Sequence, residues 1–245
     1  MNRAVNIWLI VTAVLSLIFG GCLWCFRDSK GTAQYHEGRN TVELCDNIEL
    51  DMIKTDVELI PYDGEELLFE YKSTVPISVL KGDNRLVVKE SDEFLLSFFT
   101  GDESQFGFKL YLPRQIYKSI TIYNSSGDVY IGRIDSDLVT AVTKSGEIFA
   151  TDTRSLMKLT SGSGDILLDF ESVVADSSIS TRYGNAEILF PAGSSVALSY
   201  ETVSGSFECT MLSGSIEGSY MYSFRGGNNL IRADVETGIL TVKEK

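Results

Sequence analysis

The sequence predicts an all-β protein: a single-stranded, β-helix-like β-solenoid of about 18–21-residue repeats, preceded by one N-terminal transmembrane helix. Three observations predict it. Residues 5–26 form an apolar run without a charge, and beyond residue 41 the apolar runs are short, alternating and rich in Val, Ile, Tyr, Phe and Thr. Strict alternation is the signature of half-buried strands, and no 3.6-residue stripe of useful length competes with it. Finally, a glycine turn returns at a nearly constant interval, as a stacked repeat requires.

The first element is "VNIWLIVTAVLSLIFGGCLWCF", residues 5–26. About 20 apolar residues cross the hydrocarbon core as a helix, and Trp8 and Trp24 suit its two interfaces. Residues 1–26 are therefore expected to be a membrane anchor or signal-anchor and residues 27–40 a polar linker, with the β-domain over 41–245. "FGGC" also resembles a lipoprotein cleavage site at Cys22, although Phe19 suits that reading poorly, and ordinary signal cleavage is a further alternative. Arg3 precedes the run while Arg27, Lys30 and Arg39 follow it, a count that alone would place the C-terminal part inside. A short arm before a large folded domain is a common outward-facing arrangement, so the charge count does not settle the side. The expectation is a single-pass protein of the cell membrane with an extracytoplasmic C-terminal domain.

The repeat carries the rest. Turn glycines stand at Gly127, Gly146, Gly164, Gly184, Gly205 and Gly238, with spacings of 19, 18, 20, 21 and 33. Five residues before each are Ile122, Ala141, Leu159, Ile179, Tyr200 and Ala233; seven before are Ile120, Val139, Met157, Ser177, Leu198 and Ile231. Two after are Val129, Ile148, Ile166, Ala186, Phe207 and Leu240; four after are Ile131, Ala150, Leu168, Ile188, Cys209 and Val242. Only Ser177 is plainly polar in this set, so each repeat supplies two short strands with one buried face. Three before the glycine stand Asn124, Thr143, Ser161, Thr181, Thr202 and Val235, which predict a small polar ladder that satisfies turn backbone groups. Glycine is expected for its access to positive φ. The long last interval, "MLSGSIEGSYMYSFRGGNN", reads as an excursion before the last rung.

Residues 41–117 read as irregular rungs and a cap, and 118–245 as regular repeats. "TDVEL" resembles a rung without glycine, and "NRLVVKE" and "FKLYLP" are further strand candidates. "EFLLSFFTGDESQFGF" gathers Phe94, Phe98, Phe99, Phe106 and Phe108, either as a cap over the stack or as an exposed apolar loop.

These features together resemble the bacterial putative adhesin domain family, a group of uncharacterised function. The residues that carry the resemblance are "DVELIP", "KLYLPRQIYKSITIYNSSGDVYI", the successive S-G-D/E turns and "IRADVETGILTV", over roughly residues 45–245. The resemblance implies a stacked β-solenoid, exported or membrane-tethered, with no catalytic residue to carry over.

The formal net charge of −13, with no basic stretch interleaved with aromatics, argues against nucleic acid. Cys22 and Cys25 form a C-x-x-C inside the apolar run, without the second ligand pair that zinc needs, and Cys45 and Cys209 lie far apart. The only histidine, His36, falls in the expected linker, which speaks against nucleophilic catalysis. Asp128, Glu147, Asp165 and Asn185 follow the turn glycines and would align in a row. Turn chemistry, a Ca²⁺ site and acid–base pairs facing a glycan are the three readings of that row. Turn chemistry is the expected one, so no catalytic, cofactor-binding or metal-ligating residue is assigned and no cofactor is expected. The function expected is a membrane-anchored cell-envelope module for adhesin-like binding or scaffolding, with the membrane engaged through residues 5–26 and an envelope protein or glycan as ligand. The alternative is a polysaccharide-cleaving solenoid enzyme.

Overall fold

A computed structural model describes residues 36–91, 107–210, 216–217 and 220–245. They form 21 strands: β1 (His36–Val42), β2 (Asn47–Met52), β3 (Asp56–Tyr62), β4 (Leu67–Ser73), β5 (Ile77–Gly82), β6 (Arg85–Glu90), β7 (Gly107–Pro113), β8 (Ser119–Asn124), β9 (Val129–Ile131), β10 (Leu138–Thr143), β11 (Ile148–Thr153), β12 (Leu156–Ser161), β13 (Ile166–Phe170), β14 (Ser177–Tyr183), β15 (Ala186–Phe190), β16 (Val196–Glu201), β17 (Ser206–Cys209), β18 (Ile216–Glu217), β19 (Tyr220–Phe224), β20 (Asn229–Thr237) and β21 (Ile239–Glu244).

The expected single-stranded β-solenoid is not what forms. The strands build two large mixed sheets, one of 11 strands ordered β1-β4-β7-β3-β9-β11-β13-β15-β21-β17-β18 and one of 10 ordered β19-β16-β20-β14-β12-β10-β8-β2-β6-β5. A solenoid would stack its rungs in chain order. Here β20 and β21, the last strands of the sequence, lie between the β14/β15 rung and the β16/β17 rung. Antiparallel pairs close the ends: β1 on β4, β4 on β7 and β5 on β6 at one end, β16 on β19 and β17 on β18 at the other. The excursion before the last rung thus supplies the two terminal strands β18 and β19.

Within the parallel centre the register is the one that the glycines predict. Ile122 pairs with Ala141, Ala141 with Leu159 and Leu159 with Ile179. In the facing sheet Val129 pairs with Ile148, Ile148 with Ile166 and Ile166 with Ala186. All 24 apolar-register positions, Ser177 included, are buried. Alternation explains this: every second side chain of these central strands points into a common core between the sheets. Each fully buried Leu, Ile, Val or Phe adds on the order of 1.5–3 kcal/mol. Phe108 lies in this core, its ring stacked on Phe69 with centroids 6.1 Å apart. Phe94, Phe98, Phe99 and Phe106, and with them the choice between cap and exposed loop, lie outside the described residues.

The single-pass membrane localisation is also corrected. No helix among the described residues is long and apolar enough to cross a membrane. The expected anchor, residues 5–26, and Cys22 and Cys25 within it lie outside the described residues. The expected linker ends earlier than predicted, since residues 36–40 already belong to β1 and pair with β4.

Candidate functional site

The glycine corners are built by close approach of backbones. A Cβ on Gly146 would sit 2.0 Å from the carbonyl oxygen of Gly127, and one on Gly164 would sit 2.1 Å from that of Gly146. Gly184 and Gly238 continue the column, at 2.4 Å from the Gly164 oxygen and 2.1 Å from the Gly184 oxygen. Of the six turn glycines only Gly238 has positive φ, at 145°. The expected conformational reason is therefore wrong for the other five; each must be glycine because the previous corner occupies the space a side chain would fill.

The polar ladder behaves as expected. Asn124 Oδ1 accepts the Gly127 N–H at 3.1 Å, and Asn124 Nδ2 donates to the Thr55 carbonyl at 3.0 Å. Thr143 Oγ1 donates to the Gly146 carbonyl at 2.7 Å, Ser161 Oγ accepts the Gly164 N–H at 2.7 Å, and Thr181 Oγ1 donates to the Gly164 carbonyl at 3.1 Å. These side chains are buried, so each bond prevents an unsatisfied group in a low-dielectric interior.

At the first corner, Thr55 stands where the later rungs have glycine, since Val57 pairs with Val129. A side chain is tolerated there because the Glu90 carboxylate lies against it. Glu90 Oε2 accepts the N–H groups of Ile53, Lys54 and Thr55 at 2.6, 3.0 and 3.3 Å, while Oε1 accepts the Thr55 hydroxyl at 2.7 Å. Glu90 is buried, and one carboxylate completes the turn that no glycine makes.

The acidic row does assemble, as a staircase of caps. Asp56 Oδ1 accepts the Asp128 N–H at 2.9 Å, Asp128 Oδ1 accepts the Glu147 N–H at 2.8 Å, and Asp165 Oδ1 accepts the Asn185 N–H at 2.7 Å. Asn185 Oδ1 then accepts the Ile239 N–H at 3.0 Å, across the boundary to the inserted rung. Glu147 is exposed and gives no such cap; partial burial, then the neighbouring Asp128 and Asp165, push its carboxyl above the usual range. Among the described residues no group of His, Cys, Asp and Glu is arranged to hold a metal ion. Beside the row, the rings of Tyr130 and Phe149 stack on each other at 5.1 Å with planes 4° apart, so each turns a face to the other.

The other candidates stay apart. His36 heads β1 opposite Ser73, in a strand where the sequence predicts a linker. Cys45 and Cys209 are both buried free thiols, and burial raises the Cys45 thiol above its usual range.

A shallow groove of about 180 Å³ lies on the outer face of the ten-stranded sheet, where Leu156, Lys158, Asp176, Ser178, Leu230 and Arg232 line it. Lys158 pairs with Ser178 and Ser178 with Arg232, so the serine lies between two cationic side chains on consecutive strands β12, β14 and β20. Sequence reasoning missed this row. All three residues stand six before a turn glycine, but in chain order Ser199, not Arg232, follows Ser178.

Several solved structures are similar to this chain. A putative cell adhesion protein from Clostridium sporogenes covers 86% of this chain and 100% of its own, at 14% identity and a TM-score of 0.49. A putative adhesin from Bacteroides fragilis covers 87% and 98% respectively, at 11% identity and a TM-score of 0.45. A putative lipid binding protein from Parabacteroides distasonis covers 88% and 98%, at 11% identity and a TM-score of 0.36. No family model matches the chain, and no curated protein does.

Proposed function

We propose that this protein is a non-catalytic, adhesin-like module that binds or scaffolds a protein or glycan through its sheet faces. The observation that carries this reading is the use of the acidic row. Asp56, Asp128 and Asp165 each hold a backbone N–H of the next rung, so they act as structural acceptors. A glycosidase needs two carboxyl groups facing each other across the sugar at a defined separation, one as acid and one as base or nucleophile. A row of caps on one edge of a stack provides neither a cleft nor opposed groups. The groove on the other sheet carries two cations, an aspartate, a serine hydroxyl and leucines, a set suited to holding a ligand.

The test is to incubate the full chain with neutral and acidic polysaccharides, following both co-sedimentation and release of reducing ends. No release of reducing ends is expected, whether or not a polysaccharide co-sediments. Release that persists through purification and disappears in Asp128→Asn would establish the polysaccharide-cleaving alternative.

A further inference from the structure

The groove on the ten-stranded sheet places two cations without ion pairs on either side of one strand of an acidic protein. The chain carries 34 acidic against 21 basic residues. Most described cations are paired with an acid: Arg39 with Glu70, Arg85 with Glu49, Lys109 with Glu58, Arg154 with Glu171, Arg182 with Glu236 and Lys243 with Glu187 are examples. Lys158 and Arg232 form no ion pair among the described residues, although both are exposed and acids are abundant. They bracket Ser178, whose hydroxyl likewise has no hydrogen-bond partner among the described residues. Adjacent strands lie about 4.8 Å apart, so an anion over Ser178 is within reach of both long side chains and of the hydroxyl. Three donors then converge on one acceptor, a favourable geometry for a carboxylate.

The flanks say what is attached to that anion. One step along the strands, Leu156 and Leu230 present aliphatic surface, and Asp176 stands between their strands with Oδ1 accepting the Leu230 N–H at 2.7 Å. Asp176 repels a second anion from that end and leaves the leucines to contact something apolar. No aromatic residue lines the groove, so it lacks the flat surface on which a sugar ring stacks. On the far side, burial and the neighbouring Glu201 and Glu236 raise the carboxyl of Asp234 above its usual range.

We propose that Lys158, Ser178 and Arg232 bind a peptide carboxylate of a partner protein, with Leu156 and Leu230 receiving an adjoining aliphatic side chain. This rests on the binding-module reading and names its ligand chemistry. An acidic sugar would offer the carboxylate without the aliphatic group. The full chain, labelled with ¹⁵N, is titrated with N-acetyl-leucine, N-acetyl-leucinamide and glucuronate. N-acetyl-leucine should produce saturable millimolar shifts at the amides of Lys158, Ser178 and Arg232. The amide should produce none, and glucuronate should bind about five-fold more weakly or worse, as expected if the aliphatic contact contributes roughly one kcal/mol. Lys158→Gln and Arg232→Gln should each weaken N-acetyl-leucine about five-fold with unchanged melting temperature, while Lys54→Gln should not. Equal shifts with the amide, or none up to about 10 mM, would overturn the site. Glucuronate binding as tightly as N-acetyl-leucine would make the occupant an acidic glycan and overturn the peptide assignment. Neither result depends on polysaccharide turnover, so failure here is distinguishable from failure of the module reading.

Discussion

Gly146→Ala is the sharpest probe of the fold. The change adds one methyl group, and Gly146 lacks the positive φ that would strain an alanine. Its Cβ would lie 2.0 Å from the Gly127 carbonyl oxygen and 2.7 Å from the carbonyl carbon. Ordinary contact begins near 3.4 Å, so the two corners must separate by more than an ångström. Both colliding atoms are backbone within a parallel ladder, which leaves no flexible side chain to yield. Separation stretches the Val129 N–H to Glu147 carbonyl bond, now 2.9 Å, and the Glu147 N–H to Asp128 carboxylate bond, now 2.8 Å. Overpacking of this kind costs about 1–3 kcal/mol and each weakened hydrogen bond about 1 kcal/mol. A loss of about 3 kcal/mol is expected, against a typical total of about 5–15 kcal/mol. For a chain of this size that corresponds to a fall in Tm of about 6–12 °C.

The assay is thermal unfolding by circular dichroism or calorimetry, with Gly82→Ala as control. Around Gly82 the nearest atom to an added Cβ is the Arg85 carbonyl oxygen at 3.9 Å, so that variant should stay within about a degree of the parent. If Gly146→Ala melts with the control, the stacked-carbonyl account of the glycine column is refuted.

Two further outcomes follow from the same geometry. Glu90→Ala should lose about 3–5 kcal/mol in denaturant unfolding, because three N–H groups lose their acceptor at a buried turn; Glu90→Gln, which keeps an oxygen there, should lose less than half as much. Glu147→Gln should raise Tm slightly at neutral pH: a carboxyl whose folded pKa is raised binds more protons folded than unfolded, so it opposes folding above that pKa and ceases to do so below the ordinary carboxylate range. The gain should therefore disappear on acidification through that range, and a gain that persists at low pH would contradict an origin in the raised carboxyl, to which burial and then Asp128 and Asp165 contribute.

Much of this was legible in the residues. Alternation about each glycine predicts which side chains are buried, because a strand has a period of two and a slip of one residue would turn every apolar group outward. The polar ladder at Asn124, Thr143 and Ser161 was legible for the same reason. Spatial order was not. Pattern matching equates the rungs at Gly205 and Gly238, but nothing in either says which one contacts the rung at Gly184. The inserted rung has Leu240 against Ala186 and Ala233 against Ile179, where chain order would place Phe207 and Tyr200. Both alternatives are apolar, so hydrophobicity does not discriminate between them. Glu90 was illegible for another reason: as a glutamate ending an alternating strand it has the look of a solvated residue, and its role depends on a turn more than 30 residues earlier.

The inserted rung also links folding to the groove. In a repeat stacked in chain order each rung adds to the one just made, and stability propagates from neighbour to neighbour. Here β16 and β17 are synthesised before β20 and β21 but reach the central sheets only through them. Closure of that long loop is a nonlocal step, which slows completion relative to a sequential stack. Ser178 acquires Arg232 as a neighbour only in this step. Before it, the row offers Lys158 alone beside an open strand edge. The two-cation arrangement therefore belongs to the finished fold, and a chain that has not docked its C-terminal strands cannot present it.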